Sequence, residues 1–435
     1  MTEALASKRA IAASLQAIDA LLPKFHVERA VHDALVAADH HGKLGPRERR
    51  FVKEATHGIA LHLSLIEASL RAAGARADIA QDRSILQLCA WRVLVAGTPR
   101  DVVIAQVALP GPRRPRAISD AALGAAIRAL PDPDALVREI ADPATRIALR
   151  WSLPRILADE LVALLGAGEA AIAAQALSEP APIHLRANLA KIGRDALIAK
   201  LASEKITARP GTLSPWCAIL EDRRGFFGSK SYAQGFAEVQ DEGSQLLALL
   251  AGAEPGDTLL DLCAGAGGKT LALAPLVMPG GAIVASDKEM ARLERLRERA
   301  KRAGVQRAIK IEKDPIGPFR RVLVDAPCSG SGAIRREPGA RWRIDAKMLA
   351  DLASVQSALI RRAAALVAPG GRLVYATCSF LRAENETIVE GLLADDPAWR
   401  LLPTPIAGMT SSYLRLWPHR HGTDAYFGAV LEKAV

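Results

Sequence analysis

Cysteine is scarce in this sequence, and its pattern argues against two kinds of stabilised fold. The five cysteines stand far apart, with no C-x-x-C pair and no cluster of Cys and His, at Cys89, Cys217, Cys263, Cys328 and Cys378. A disulfide framework or a zinc site needs such pairs or clusters. The sequence therefore indicates neither, and no metal is predicted. A functional cysteine in this chain is expected to act as a free thiol.

Long hydrophobic runs are also missing. Charged residues interrupt the apolar stretches well before the ~20 residues that a membrane span needs, and the opening MTEALASKRA lacks the apolar region of a signal peptide. The 57 Lys and Arg residues exceed the 47 Asp and Glu residues, and the pI is about 9.5. Such a surplus suggests a polyanionic partner, and RNA, DNA and an anionic membrane all fit. We expect a cytoplasmic protein.

Three domains are predicted, because 435 residues are too many for one ordinary core. Residues 1–145 have apolar residues at helical spacing and predict an all-helical domain, broken by LPGPRRPR at 109–116. Residues 146–240 predict a small α+β domain. From 241 to 435, strands, glycine-rich turns and helices alternate, which predicts a Rossmann-like, doubly wound α/β domain. Its strands are expected at 258–262, 282–286, 309–312, 321–324, 372–376, 414–417 and 426–431.

A glycine-rich loop follows the first of these strands. The strand TLLDL continues into CAGAGGKT at 263–270, where Gly265, Gly267 and Gly268 allow close backbone approach. The free N–H groups of the next helix can bind an electronegative ligand. Asp287 ends the following strand, where an acidic side chain can accept both ribose hydroxyls of a nucleoside cofactor. The pair predicts a nucleoside-cofactor site.

Other interpretations of this loop fit less well. A P-loop needs glycine five positions before Gly268, where Cys263 stands, and a dinucleotide site needs glycine three positions after it, where Leu271 stands. A purely structural glycine turn remains open.

Two cysteines stand at the ends of predicted strands. The strand RVLVD ends in DAPCSGSG at 325–332, and LVYA ends in TCS at 377–379. The carboxyl ends of strands in a doubly wound sheet face the ligand crevice, so both thiols are expected at one site. A lone cysteine there is by default a small buried hydrophobe. Two of them, each followed by Ser, favour a functional pair.

A thiol suits one difficult methylation. Carbon 5 of a pyrimidine is a weak nucleophile, but thiolate addition at carbon 6 gives an enamine whose carbon 5 attacks a sulfonium methyl group. Loss of the carbon 5 proton then expels the enzyme. Asp325 is able to protonate or hydrogen-bond the ring nitrogen if burial raises its pKa. A helix N-terminus near Ala383 is expected to promote ionisation of the thiol.

Together these motifs resemble the RNA 5-methylcytosine methyltransferase family of the NOL/NOP/Sun type. The matching segments are DLCAGAGGKT, SDKEMARL, DAPCSGSGAIRREPGARW, ATCSFLRAENE, FAEVQDEGSQL and TDAYFGAVLEK, all within the last 200 residues. The resemblance implies a covalent nucleophile at Cys378 and a product-release role for Cys328. It also implies contacts to S-adenosylmethionine from Cys263, Ala264, Gly265, Ala266, Gly267, Gly268, Lys269, Asp287, Asp314 and Asp325.

The chain departs from the family pattern in two places. Gly265 and Ala266 stand where the family usually has another residue and proline, and only eleven residues separate Asp314 from Asp325. The N-terminal segments ERRFVKEATHGI and LQLCAWRVLV resemble a NusB-type domain. This points to the bacterial RsmB-type subgroup, which methylates small-subunit ribosomal RNA.

RNA contacts are expected from a basic segment after the P-C motif. Arg335, Arg336, Arg341 and Arg343 are candidates to pair with phosphates, and Trp342 to stack on a base. A solvated basic loop around a packed Trp is the competing interpretation. The helix at 288–302 mixes charges and is read as an exposed face. A second basic surface on the helical domain is one interpretation of Lys8, Arg9, Arg47, Arg49 and Arg50, and ordinary solvated charge is the favoured one.

Three other functions remain open at this point. A DNA cytosine methyltransferase would share the chemistry but use the cysteine of the P-C motif. An amino-methyltransferase needs no thiol, and DAPC lacks the aromatic residue of its usual motif. An RNA-binding assembly factor with an inactive methyltransferase fold is the non-enzyme alternative. Transfer RNA and large-subunit ribosomal RNA are alternative substrates.

Overall fold

A computed structural model describes residues 7–21, 24–40, 43–75, 80–107, 118–222, 225–406, 408–409 and 411–435. The chain divides into two compact units. The helical unit comprises Met1–Glu179 together with Ile334–Asp345, and the catalytic unit comprises Pro180–Ala333 and Ala346–Val435. Within the described ranges, no helix combines the length and apolarity that crossing a membrane requires.

The helical unit confirms the all-helical prediction for the first part of the chain. Its helices are α1 Lys8–Leu21, α2 Val27–Asp39, α3 Pro46–Ala72, α4 Ala80–Leu94, α5 Arg100–Val107, α6 Asp120–Arg128, α7 Pro133–Arg138, α8 Pro143–Arg150 and α9 Arg155–Ala176. Ile18, Ile59 and Ile127 are fully buried in its main apolar cluster. The LPGPRRPR segment lies outside the described residues.

Side-chain caps explain where the short helices begin. The hydroxyl of Ser119 accepts from the backbone N–H of Ala122 at the start of α6. Asp132 and Asp142 cap α7 and α8, and each is followed by a proline in the first turn. Proline fits there because the first N–H groups of a helix have no partner inside it.

A small antiparallel sheet begins the catalytic unit. Its strands are β1 Ile183–Ala187, β2 Ala208–Pro210, β3 Cys217–Leu220 and β4 Ala237–Val239, in the order β2-β3-β1-β4. It carries the helices α10 Arg194–Ser203 and α11 Lys230–Ala233. Leu185, Leu197 and Phe226 are buried in a core of its own.

A large twisted sheet forms the rest of the catalytic unit. Its strands are β5 Thr258–Asp261, β6 Ala282–Ala285, β7 Ile309–Ile311, β8 Phe319–Asp325, β9 Val367–Thr377, β10 Trp399–Leu402, β11 Tyr413–Leu416 and β12 Tyr426–Lys433. The order is β10-β12-β9-β8-β5-β6-β7, with β11 paired to β12. Strands β5 to β9 pair in parallel, and β12 runs antiparallel to β9. The predicted Rossmann-like sheet is confirmed, with β10 as an additional short strand.

Helices cover both faces of this sheet. They are α12 Glu242–Leu249, α13 Gly268–Val277, α14 Met290–Ala303, α15 Ala346–Ala365 and α16 Glu386–Asp395, with the short α17 at Pro418–His421. One apolar cluster includes residues of α12, α13 and α14, and a second includes residues of α15 and α16. The sheet is therefore buried on both sides, as a doubly wound fold requires.

The domain boundaries predicted at residues 145 and 240 remain a prediction. The two compact units separate between Glu179 and Pro180, and Ile334–Asp345 belongs with the helical unit. This insertion contains the arginines that the sequence placed on the ligand side of the sheet, and their surroundings are described below.

Candidate active site

The glycine-rich loop joins β5 to α13 through left-handed backbone. Gly265 has a φ of 54° and Gly267 a φ of 84°, which glycine adopts without strain. A Cβ atom on Gly267 would lie 2.1 Å from Cδ1 of Leu296. The backbone N–H of Ala264 donates to the carbonyl of Ser286 at 2.9 Å, which ties the loop to the end of β6.

Asp287 lies beside this loop as the sequence predicted. Its Oδ2 accepts from the N–H of Gly265 at 2.8 Å, and its Oδ1 accepts from the N–H of Glu289 at 2.9 Å. Its side chain is only 5% exposed. Backbone donors therefore fix the carboxylate at the cavity, where its contact with a ribose remains a prediction.

A cavity of about 730 Å³ opens at the carboxyl ends of the parallel strands. This volume falls within the ~300–1,000 Å³ of small-molecule sites. The predicted residues that line it are Cys263, Ala264, Gly265, Ala266, Gly268, Asp287, Asp314, Asp325, Cys328 and Cys378. The glycine cradle, the fixed Asp287 carboxylate and the volume together fit a nucleoside cofactor.

Sequence reasoning missed several side chains of this cavity. Val355, Leu359 and Arg362 line it from α15, and Arg292 lines it from α14. Their spacing along α15 is that of one helical face, which would have identified them once the helix was known to cover the site. Asp314 is 82% exposed and lies 3.7 Å from Arg362, so it occupies the rim.

Lys269 and Asp325 form an ion pair at the base of the site. The Nζ of Lys269 lies 2.6 Å from Oδ2 of Asp325, and the side chains are 7% and 37% exposed. The lysine of the GGKT sequence therefore contacts the carboxylate next to the P-C motif. Asp325 is less buried than a proton-donating carboxyl was expected to be, and an ion-paired carboxylate is a hydrogen-bond acceptor.

Asp261 is a fully buried carboxyl below the loop. Its Oδ2 accepts from the hydroxyl of Thr270 at 2.6 Å, whereas its Oδ1 has no hydrogen-bond partner within the part of the chain that the structure describes. Burial raises the pKa of Asp261 to about 7, and the nearby charges of Asp325 and Asp287 act in the same direction. Its protonation therefore changes in the neutral pH range.

The two predicted cysteines meet in the cavity. The Sγ atoms of Cys328 and Cys378 lie 3.4 Å apart. The hydrogen bond to Cys378 and burial together raise the pKa of the Cys328 thiol well above its usual value. Either sulfur is able to donate the hydrogen in this contact.

The surrounding elements position the pair. The backbone N–H of Gly332 donates to the carbonyl of Cys378 at 3.0 Å, and a Cβ atom on Gly332 would lie 2.1 Å from the carbonyl of Ala425. A short 3-10 turn at Arg382–Glu384 precedes α16, so this α-helix begins at Glu386 rather than near Ala383. The third cysteine of the cavity is Cys263, and burial raises its thiol pKa to about 12.

Three charged side chains brace the cofactor loop and were not predicted to do so. Arg186 of β1 is buried and donates to the carbonyl of Gly268 at 2.6 Å. Arg299 of α14 donates to the carbonyl of Ala266 at 2.6 Å. Glu238 of β4 accepts from Arg299 at 2.9 Å. We call Arg186, Glu238 and Arg299 the loop brace.

Glu238 also pairs with Arg302 at the end of α14. The interpretation of the 288–302 helix as merely an exposed face is therefore wrong for Arg299 and Arg302, because the partners that hold them come from a strand some 60 residues earlier. Gly235 allows the close approach, since a Cβ atom there would lie 2.2 Å from the carbonyl of Arg302.

The basic segment after the P-C motif requires a correction at Arg341. This side chain is fully buried, and its guanidinium donates to four backbone carbonyls of the helical unit, those of Leu61, Trp151, Ser152 and Leu177. Burial lowers the pKa of Arg341 to about 9. The guanidinium of Arg341 is therefore not accessible to an RNA phosphate.

Trp342 and Arg343 have partners in the same unit. The indole N–H of Trp342 donates to the carbonyl of Ala60 at 2.7 Å, and its ring lies 6.1 Å from that of Phe25. This matches the packed Trp of the competing interpretation. Arg343 donates to the carbonyl of Phe25 at 3.0 Å. RNA contacts from Arg335, Arg336 and Arg343 remain predictions, and Arg336 is exposed.

Known proteins share this sequence and fold. A family model described as "16S rRNA methyltransferase RsmB/F" matches residues 248–432, and a second, the ferredoxin-like domain of the same proteins, matches residues 153–225. Ribosomal RNA small subunit methyltransferase B of Pseudomonas syringae is 30% identical over 411 residues, which cover 90% of each chain. The chain belongs to the RsmB/F family.

Further relatives agree with this assignment. A Mycobacterium tuberculosis protein named for methyltransferase activity is 35% identical over 420 residues, again 90% of each chain. The crystal structure of PH0851 has a TM-score of 0.73 at 25% identity and covers 98% of this chain and 99% of that one. This member of the RsmB/F family is a methyltransferase, and its cofactor is S-adenosylmethionine, as the sequence predicted.

Proposed function

We propose that this protein forms 5-methylcytosine in small-subunit ribosomal RNA, with Cys378 as covalent nucleophile. The observation that carries the proposal is the Cys328–Cys378 pair, whose sulfur atoms lie 3.4 Å apart in the cavity that also contains the cofactor loop. An exocyclic amine can be methylated without a thiol, whereas carbon 5 cannot readily accept a methyl group without one. The name of the Pseudomonas syringae relative supports ribosomal RNA as the substrate class.

Cys378 begins the reaction. Its thiolate adds to carbon 6 of the cytosine, and the displaced π electrons make carbon 5 nucleophilic. When bound, S-adenosylmethionine supplies an electrophilic methyl group. The proton that Cys378 has lost is taken up by the ring nitrogen, and the carboxylate of Asp325 accepts a hydrogen bond from this N–H and so stabilises the adduct. Lys269 holds this carboxylate in place through the 2.6 Å ion pair.

Cys328 acts in the second half. After carbon 5 has received the methyl group, water acting as a base takes its proton, the electron pair of that C–H bond forms the carbon 5–carbon 6 double bond, and the bond from carbon 6 to sulfur breaks to release the Cys378 thiolate. The family resemblance assigns product release to Cys328, and its position 3.4 Å from the Cys378 sulfur supports that role. The target base must be unstacked for this attack, which favours a loop or bulge of the RNA.

Methylation of unmodified small-subunit ribosomal RNA with labelled S-adenosylmethionine tests the proposal, followed by mapping of 5-methylcytosine. Cys378→Ala should abolish labelling. Cys328→Ala should accumulate a protein–RNA adduct that survives denaturation. Cys217→Ala is a matched control, because this cysteine is fully buried in the small sheet, and it should remain active.

Each contrary result has a definite meaning. Full activity of Cys378→Ala would refute the mechanism, and an adduct trapped through Cys328 would favour the DNA-type assignment of the nucleophile. If label appears only in transfer RNA or large-subunit ribosomal RNA, the proposed chemistry would stand and the proposed substrate would be wrong. Cofactor binding without methylation of any RNA would support the binding-protein alternative.

A further inference from the structure

Two loops that carry the cysteines share one buried carboxylate. The P-C loop (325–332) and the T-C loop (377–381) both contact Glu384, whose side chain is fully buried. Glu384 lies in the 3-10 turn before α16. Nothing in the sequence pattern singles it out, because its partners on the P-C loop are 55 residues earlier in the chain.

Glu384 binds the residue that follows each cysteine. Its Oε1 accepts from the backbone N–H of Ser329 at 2.8 Å, and its Oε2 accepts from the hydroxyl of Ser329 at 2.6 Å. The same Oε2 accepts from the hydroxyl of Ser379 at 2.6 Å. Since Ser329 follows Cys328 and Ser379 follows Cys378, the carboxylate fixes the separation of the two sulfur atoms.

A fourth bond ties Glu384 to the helix that lines the cavity. The amide Nε2 of Gln356 on α15 donates to Oε1 of Glu384 at 3.0 Å and to the carbonyl of Pro327 at 2.9 Å. An ionised carboxylate has about four acceptor positions, and four donors use them here. A neutral amide in the same place would accept fewer of these bonds and would add two donors of its own.

The four donors to Glu384 carry no formal charge. A neighbouring negative charge disfavours ionisation of a thiol, and Glu384 contributes in this way to the raised pKa of Cys328. The hydrogen bond to Cys378 and burial are the larger causes of that shift. Glu384 therefore acts on the cysteine pair both through its hydrogen bonds to the two loops and through its charge.

We propose that Glu384 is a positioning residue that ties the two cysteine loops together and so holds the sulfur atoms of Cys328 and Cys378 at their short separation. This assignment rests on the proposed function, in which Cys378 attacks and Cys328 acts later. It explains why both motifs continue with serine after cysteine.

Alkylation of the thiols tests this assignment without RNA or cofactor. The full-length protein is treated with limiting iodoacetamide between pH 6 and pH 9, and the label on Cys328 and on Cys378 is quantified by peptide mass spectrometry. In the wild type we expect label mainly on Cys378. In Glu384→Gln, the ratio of Cys328 to Cys378 label should rise, because the two loops lose the carboxylate that holds them together and Cys328 loses a neighbouring charge that raises its pKa.

The chain provides a matched control and a second variant. Glu386→Gln alters a nearby buried carboxylate that accepts from Arg415 and, within the described residues, from neither cysteine loop. Arg415 keeps its own contact with the carbonyl of Phe380 in this variant, which should label as the wild type does. If Glu384→Gln does not fold, Ser379→Ala removes one of the four bonds and keeps the carboxylate. It should raise the same ratio by a smaller factor.

The outcomes separate this assignment from the proposed function. A folded Glu384→Gln with the wild-type label ratio and pH profile would overturn the assignment, and so would an unchanged ratio in Ser379→Ala when it is the only folded variant. Failure of the wild type to methylate ribosomal RNA would overturn the proposed function but would leave the labelling result valid.

Discussion

The loop brace makes a quantitative prediction about cofactor affinity. Replacing Arg299 by Met keeps a long side chain and good helix propensity but removes the donor to the carbonyl of Ala266 and the partner of Glu238. The loop would lose one of its external contacts, while Arg186 would still hold Gly268. Part of the binding free energy of S-adenosylmethionine would then be used to order the loop, so the affinity would fall.

The size of this effect follows from the hydrogen bonds. A bond from a charged donor contributes roughly 1.5–3 kcal/mol. Of the three hydrogen bonds that Arg299 donates, two go to Glu238 and one goes to the loop at Ala266. Because Arg299 is partly exposed, we take a loss of about 1.4 kcal/mol, near the lower end of that range, which raises the Kd for S-adenosylmethionine about tenfold.

Isothermal titration calorimetry with S-adenosylmethionine measures this change directly. Arg295→Met is the matched control, because Arg295 is exposed on the same helix, and its Kd should stay within twofold of the wild type. Circular dichroism establishes that both variants are folded. A Kd unchanged by Arg299→Met in a folded protein would refute the reasoning that the brace orders the loop.

Two further predictions concern stability. Because Asp261 has a pKa of about 7 in the folded protein against an ordinary value near 3.8, its contribution makes the free energy of unfolding fall as pH rises from about 4 to about 7. As pH rises from 5 to 8, the free energy of unfolding of Asp261→Asn should therefore increase relative to that of the wild type, as measured by urea titrations. A difference between the two proteins that stays constant over this pH range would contradict the prediction. Arg341→Met should destabilise the helical unit by roughly 2–4 kcal/mol, since buried carbonyls lose their donor. Thermal unfolding would show a lower Tm with an unchanged Kd for S-adenosylmethionine, and an unchanged Tm would contradict the structural role.

Local sequence patterns were sufficient for the main chemistry of the site. The strand, turn and helix around 258–277 are encoded by neighbouring residues, and parallel strands bring their carboxyl ends together whatever their separation in sequence. This is why Cys328, Cys378 and Asp287 could all be assigned to one cavity. The short strand Trp399–Leu402 was missed, because four residues before a proline give little alternation.

Other features depend on contacts that no local pattern encodes. Arg341 was taken for a surface residue because buried arginines are rare, and the carbonyls that it binds lie between 164 and 280 residues earlier in the chain. Arg186 and Glu384 are similar cases, since Arg186 binds the cofactor loop 82 residues later and Glu384 binds Ser329, 55 residues earlier, in addition to the nearby Ser379. Buried charged residues with neutral partners were thus the main class that the sequence did not reveal.

The loop brace also links two parts of the catalytic unit thermodynamically. Arg186 and Glu238 belong to strands of the small sheet, yet they hold the carbonyls of the cofactor loop, in part through Arg299. A macromolecule that binds the small sheet and shifts these strands must change the affinity for S-adenosylmethionine. Reciprocity then requires that the cofactor change the affinity for that macromolecule by the same factor. The affinity of the small sheet for that macromolecule would then depend on whether S-adenosylmethionine is bound.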